Sequence, residues 1–274
     1  MYTPQVNRHE ISSTVDLSEF ISSGTACARS APIDDYFDYV RGINITASAI
    51  YSQHGAEPLK YLFLSVVSAV EFYLRTLLST TVNLCPLCRT HAASQTLALG
   101  ATNYYDRAAI GYALLEHKSL SSKVEIKKES RNIADLHIKD GSSVAGALDS
   151  FDSVCQLRHA IVHSRGELNS KNARELGFHD LSASNVVVDI WRFQQALEIS
   201  NNFVRAFNRF AFDALFSRWL TIPVFEGSWT KDKERFSALF GAYYSVRDMN
   251  KPKRAYDAYR SILPDIIART GTSN

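Results

Sequence analysis

One segment limits the fold more than any other. Between about residues 57 and 80, Leu62, Val66, Ala69, Tyr73 and Leu77 recur at helical spacing, and most of the remaining positions are apolar too. A helix that is hydrophobic around most of its circumference must be surrounded by other elements. The segment therefore predicts the central helix of a bundle, with Pro58 suited to its first turn. Around it, Ile33, Phe37, Val40, Ile43 and Ala47 mark a helix over about 33–52. Asp34 and Asp35 complement its N-terminal dipole, and Gly55 ends it. Further helical patterns cover about 90–99, 103–118 and Val144 to Val162. A long helix follows over about 185–219, with Val187, Ile190, Phe193, Leu197, Phe203, Phe207 and Phe210 as core-facing candidates. Two shorter helices, about 231–248 and 252–268, come after a linker at 221–229. The charged stretch Ser121 to Asp140 reads as an exposed helix or a mobile insert.

Clean period-2 alternation between hairpin turns is hard to find, and no repeat of 20–50 residues is evident. The expectation is an all-α chain. It would have a flexible N-terminal arm (1–30), a helical domain (31–220, with an insert at about 81–140) and a C-terminal helical extension (221–274). With 46% hydrophobic and 11% aromatic residues, the 274-residue chain can build a sizeable core, which excludes disorder throughout. Thirty Lys+Arg against 28 Asp+Glu leave +2, so any contact with nucleic acid must use a local patch. Met1 to Ser13 is polar and carries no apolar signal segment. Tyr61 to Leu74, interrupted by Glu71 and closed by Arg75, reads as too short and too charged to cross ~30 Å of hydrocarbon. Four cysteines, Cys27, Cys85, Cys88 and Cys155, are too few for a disulfide scaffold. A reducing, cytoplasmic location with no membrane partner is expected.

The chemistry concentrates in Cys155-Gln-Leu-Arg158-His159-Ala-Ile-Val-His163-Ser-Arg165-Gly166. RNA can be cut by attack of a 2′-hydroxyl on the neighbouring phosphorus. That reaction needs a proton acceptor, a proton donor and positive charge on the phosphorane oxygens. Imidazole fills either proton role near neutrality, and guanidinium matches phosphate oxygens. No metal is required, in keeping with the lack of a clear cluster of paired carboxylates in the sequence. On a straight helix, five residues turn by about 140° and rise about 7.5 Å. Arg158 and His163 would converge only if the helix ends or bends near His163, and Ser164-Arg165-Gly166 offers such an end.

Arg158-x4-His163, with a polar residue after the Arg and Ile-Val before the His, resembles the Arg-x(4–6)-His signature of the HEPN superfamily (higher eukaryotes and prokaryotes nucleotide-binding). Val70-Glu71-Phe72-Tyr73-Leu74-Arg75 is similar to that fold's second helix. The resemblance implies a helical bundle of four to five helices. It also implies a metal-independent endoribonuclease working at a homodimer cleft and leaving 2′,3′-cyclic phosphate ends. Such proteins act as toxins or antiviral-defence effectors, so RNA and an antitoxin or defence-system protein are the expected partners. By the same carry-over Arg158 stabilises the transition-state phosphate, His163 is the general acid/base and His159 assists or binds RNA. Arg165 stands where HEPN toxins silenced by a partner nucleotidyltransferase usually carry Tyr, and residues 81–140 make this an elaborated member. The alternative is a catalytically inactive HEPN-like module that binds RNA, a nucleotide or a protein partner.

Three further features carry two readings each. Glu71 and Arg75 are either an i, i+4 ion pair or a pair that orients the motif arginine. Cys85-x2-Cys88-x2-His91 is either half of a structural zinc site, completed by Cys27, His54 or His117, or a pair of free thiols and a surface histidine. Arg247, Lys251, Lys253, Arg254 and Arg260, interleaved with Tyr243, Tyr244, Tyr256 and Tyr259, are either an RNA-contacting face or a solvated helix. Arg165 adds a candidate RNA-binding cation beside the motif. No P-loop, Gly-rich dinucleotide turn or Gly-x-Ser-x-Gly elbow is present.

Overall fold

The structure is a computed structural model that describes residues 14–22, 30–106, 109–178, 184–222, 224–249, 251 and 253–270. The described residues are all-α: α1 Pro32–His54, α2 Leu59–Leu84, α3 Pro86–Ala92, α4 Leu99–Tyr104, α5 Ile110–Leu115, α6 Lys123–Ala134, α7 Ser143–Ser164, α8 Ser170–Glu175, α9 Ile190–Thr221, α10 Trp229–Tyr243, α11 Val246–Met249 and α12 Ala255–Thr270. Extended pairing among them is limited to one bridge between Glu167 and Asn185. The expected N-terminal arm falls largely outside the described residues. Within it, Leu17–Phe20 forms one exposed 3₁₀ turn.

The central position expected for α2 is borne out. Leu59, Val66, Val67, Val70, Leu74, Leu77 and Leu78 are fully buried, and α1, α3, α5, α6, α7, α9 and α10 all pack on the helix. The Tyr73 hydroxyl donates to Asn208 Oδ1 across 3.2 Å, joining α2 to α9. The expectation that this segment is too short to cross a bilayer needs correcting. The helix runs for 26 residues and is long and apolar enough by length and composition, although 61% of its most apolar window is buried within the bundle. Its neighbour α1 begins with Pro32, carries Asp34 and Asp35 in its first turn and stops at Gly55, whose φ of 75° lies in the left-handed region that favours glycine. Helices α7 and α9 meet through a stacked pair, Phe151 on Phe203, with ring centroids 4.9 Å apart.

Two expectations are overturned. Ser121 to Asp140 is neither an exposed helix nor a mobile insert. Ile126, Ile133 and Ala134 of α6 are fully buried, and the charges of Lys127, Lys128 and Arg131 line the other side. In the sequence, two isoleucines on one helical face are masked by the surrounding charge. The long helix begins at Ile190, not 185, because Asp189 caps it by accepting the Arg192 N–H at 2.8 Å. Val187 therefore precedes the helix and is 61% exposed instead of core-facing.

The C-terminal helices share the core with the rest of the bundle. Phe225, Phe236, Leu239, Tyr243, Tyr259 and Ile266 join the same buried cluster as α1, α2 and α9. The buried Asp34 carboxylate at the start of α1 fastens this region. It accepts the Ser245 hydroxyl and the backbone N–H groups of Val246 (3.1 Å) and Arg247 (3.0 Å).

Candidate functional site

The motif occupies the last two turns of α7. Ser142 starts that helix by accepting the Ala145 N–H. Its end is a left-handed turn, as the sequence suggested, but Arg165 adopts the turn itself (φ 53°) and Gly166 follows at φ 99°. The Gly166 N–H reaches back to the Ala160 carbonyl at 3.0 Å, closing the helix in the manner of a Schellman turn. The Gly166 carbonyl accepts the Val186 N–H at 2.7 Å, and Leu168 N–H donates to the Ser184 carbonyl at 2.8 Å. The segment 184–186 thus straps the helix end in place. Arg165 is exposed beside it.

Helical backbone persists through Ser164, one residue beyond His163. The Cα–Cβ directions of Arg158 and His163 consequently diverge by about 140°, and the bend that would bring them together within one chain does not occur. His163 instead meets His159, one turn earlier, with ring centroids 4.4 Å apart and planes inclined at 48°. Both histidines are exposed. Desolvation, followed by the positive charges of His163, Lys171 and Arg158, pushes the His159 imidazole below its ordinary value of 6.5. Neutral imidazole is the favoured form.

Lys171 is a member of this group that sequence reasoning missed. It lies on α8, a six-residue helix capped by Asn169. Buried Asn172 donates to Gln156 Oε1 of α7 at 3.1 Å, which holds α8 alongside the motif. The Asn169 cap was a readable helix signal; the approach to His159 was not.

Arg158 is partly buried, and its Nε is buried with no hydrogen-bond partner among the described residues. An unpaired buried donor is costly, and among the described residues no salt bridge neutralises this guanidinium. Cys155, three residues earlier on α7, is buried, and its thiol is pushed up by burial and by the charges of Asp152 and Glu71, with Arg158 opposing. Glu71 Oε1 accepts the Leu120 N–H at 3.2 Å.

Arg75 does not pair with Glu71. Its guanidinium donates to the carbonyls of Leu115 and Lys118, gathering the chain that leaves α5. Both residues anchor segment 115–120 on α2. Neither the simple i, i+4 ion pair nor a direct grip of Arg75 on the motif arginine is what they form.

Cys85 and Cys88 are fully buried, whereas His91 is exposed and its Nε2 lies 2.9 Å from the Arg131 carbonyl. Trp219 Nε1 donates to Cys85 Sγ at 3.2 Å. Arg218 donates to Cys88 Sγ at 3.2 Å, and Cys88 donates to the Ala134 carbonyl. The Cys85 thiol is held below its ordinary value, first by its pairing with Cys88 and then, against burial, by the Trp219 indole, while Cys88 is pushed up by the same pairing and by burial. These bonds fasten the junction of α3, α6 and α9. Among the described residues no three His, Cys, Asp or Glu side chains gather as a metal-ligand set. Of the candidate completing ligands, Cys27 lies outside the described residues.

In the basic cluster, Arg247 pairs with Asp38 at 3.0 Å and Arg254 with Asp257 at 3.0 Å. Lys251 and Lys253 are exposed. Tyr243 and Tyr259 face inward, the former against Thr81 and the latter donating to Asp232 at 2.6 Å. These two rings are core rather than stacking platforms. Compared with protein-family models, with curated proteins and with solved structures, the chain finds no match.

Proposed function

We propose that this protein is a metal-independent endoribonuclease of HEPN type that acts as a toxin or antiviral-defence effector. The observation that carries the reading is the buried Arg158 Nε, unpartnered among the described residues, on the same last turns of α7 as the exposed His159–His163 pair, with the charge of Lys171 from α8 acting on His159. In this reading the neutral His159 imidazole can accept the 2′-hydroxyl proton, and His163 returns a proton to the leaving 5′-oxygen. Arg158 and Lys171 offset charge on the phosphorane oxygens. Because Arg158 and His163 diverge within one chain, a homodimer that apposes the two α7 ends supplies the missing convergence. Arg165, Lys251 and Lys253 are the exposed cations assigned to RNA binding.

Purified chain should cut single-stranded RNA in the presence of EDTA and leave 2′,3′-cyclic phosphate ends. Arg158→Ala and His163→Ala should each lower the rate by about a hundredfold or more. Cleavage that persists in both variants rejects the assignment. The unbroken helix through Ser164 favours the second reading, a non-cutting RNA-binding module. That reading is selected if wild-type chain binds RNA without cutting it and His163→Ala binds equally well.

A further inference from the structure

The His159–His163 pair has a property that does not depend on RNA. Residues four apart on a helix share one face, with Cβ atoms about 5–6 Å apart, and two histidines at that spacing are a recurrent metal-binding arrangement. Here the two rings already lie side by side, with centroids 4.4 Å apart. Both are exposed, and neither imidazole has a hydrogen-bond partner among the described residues, so a ring nitrogen of each is free to coordinate.

We propose that His159 and His163 form a two-imidazole chelating site for a divalent transition-metal cation, with copper(II) as the preferred ion. The choice of ion rests on ligand chemistry: the two rings are close enough to share one ion, and copper(II) stands highest in the affinity order of first-row divalent ions for nitrogen ligands. No third His, Cys, Asp or Glu joins the pair among the described residues, so water completes the coordination. Arg158 and Lys171 repel any cation at this place. Ions held mainly by charge, such as magnesium and calcium, are therefore excluded, and the ion with the strongest affinity for imidazole is selected.

The test is a titration of the full-length chain with copper(II) chloride in chelator-free buffer, followed by electron paramagnetic resonance. One copper per chain is expected, with superhyperfine splitting from two nitrogens and no displacement by excess magnesium or calcium. Losing one arm of a chelate removes its effective-concentration advantage. His159→Ala and His163→Ala should thus each weaken binding by about a hundredfold, with helical circular dichroism unchanged. Absence of bound copper in the wild type, or wild-type affinity in both variants, overturns the proposal. The measurement needs no RNA cleavage, so it fails or succeeds separately from the ribonuclease reading.

Discussion

Gly111 puts the packing of α5 against α2 to a sharp test. A Cβ built there would stand 2.5 Å from Ser79 Oγ, 2.6 Å from Ser79 Cα and 2.8 Å from the Ser79 carbonyl oxygen. Two of those atoms are backbone, so no side-chain rotation relieves the clash. Ordinary contact begins near 3.4 Å, and the helices would have to separate by a large fraction of an ångström. Arg75, which bonds the carbonyls of Leu115 and Lys118, resists that separation. Overpacking of this kind costs about 1–3 kcal/mol. Replacing glycine by alanine in a helix recovers about 1 kcal/mol, so Gly111→Ala should lose up to about 2 kcal/mol net. For a chain of this size that corresponds to a fall of several degrees in Tm, at about 2–4 °C per kcal/mol. Gly42, in the middle of α1, faces open space: a Cβ added there would meet nothing within 4 Å. The same substitution there should raise stability by about 0.5–1 kcal/mol. Urea unfolding of both variants, followed by circular dichroism, gives the comparison. A Gly111→Ala midpoint at or above wild type would refute the close approach of α5 to α2.

Two further outcomes follow from buried polar groups. Asp34→Ala removes the acceptor of the Ser245 hydroxyl and of two backbone N–H groups. It should cost about 2–4 kcal/mol and speed hydrogen exchange at Val246 and Arg247; unchanged exchange there would contradict the anchoring role. Cys85 is held below the ordinary thiol value of 9.0, so between its lowered pKa and 9.0 the unfolded chain carries a proton that the native chain does not. Stability should consequently rise with pH toward 9.0 and be lost as pH falls through the lowered value. Cys85→Ala should flatten that rise in urea midpoints measured between pH 6 and 8.5, and equal slopes would argue against a native thiolate.

Much of the bundle is legible in the sequence because local signals agree with one another. Pro32, Asp34, Asp35 and Gly55 bracket α1, and the apolar stripe of α2 announces a helix with neighbours on every side. Where local signals conflict, the sequence misleads. The charges of α6 conceal Ile126 and Ile133, and the run of valines before Ile190 conceals the Asp189 cap. Both errors arise because periodicity averages over a window, whereas a cap or a two-residue buried stripe is decided by single atoms. At the candidate site, the four-residue spacing of His159 and His163 is visible in the sequence, although the Arg-x4-His pattern draws Arg158 and His163 together instead.

The sequence by itself determined the all-α class, the central helix and the concentration of imidazole and guanidinium near the end of α7. Those properties follow from spacing along one chain, where 3.6 residues per turn fixes which side chains share a face. Only the tertiary structure decided that Arg75 holds segment 115–120, that Lys171 stands by His159, and that Arg158 keeps a buried, unpartnered Nε. Each of these depends on elements far apart in sequence being pressed together by a shared core, and no local pattern encodes which surfaces then meet.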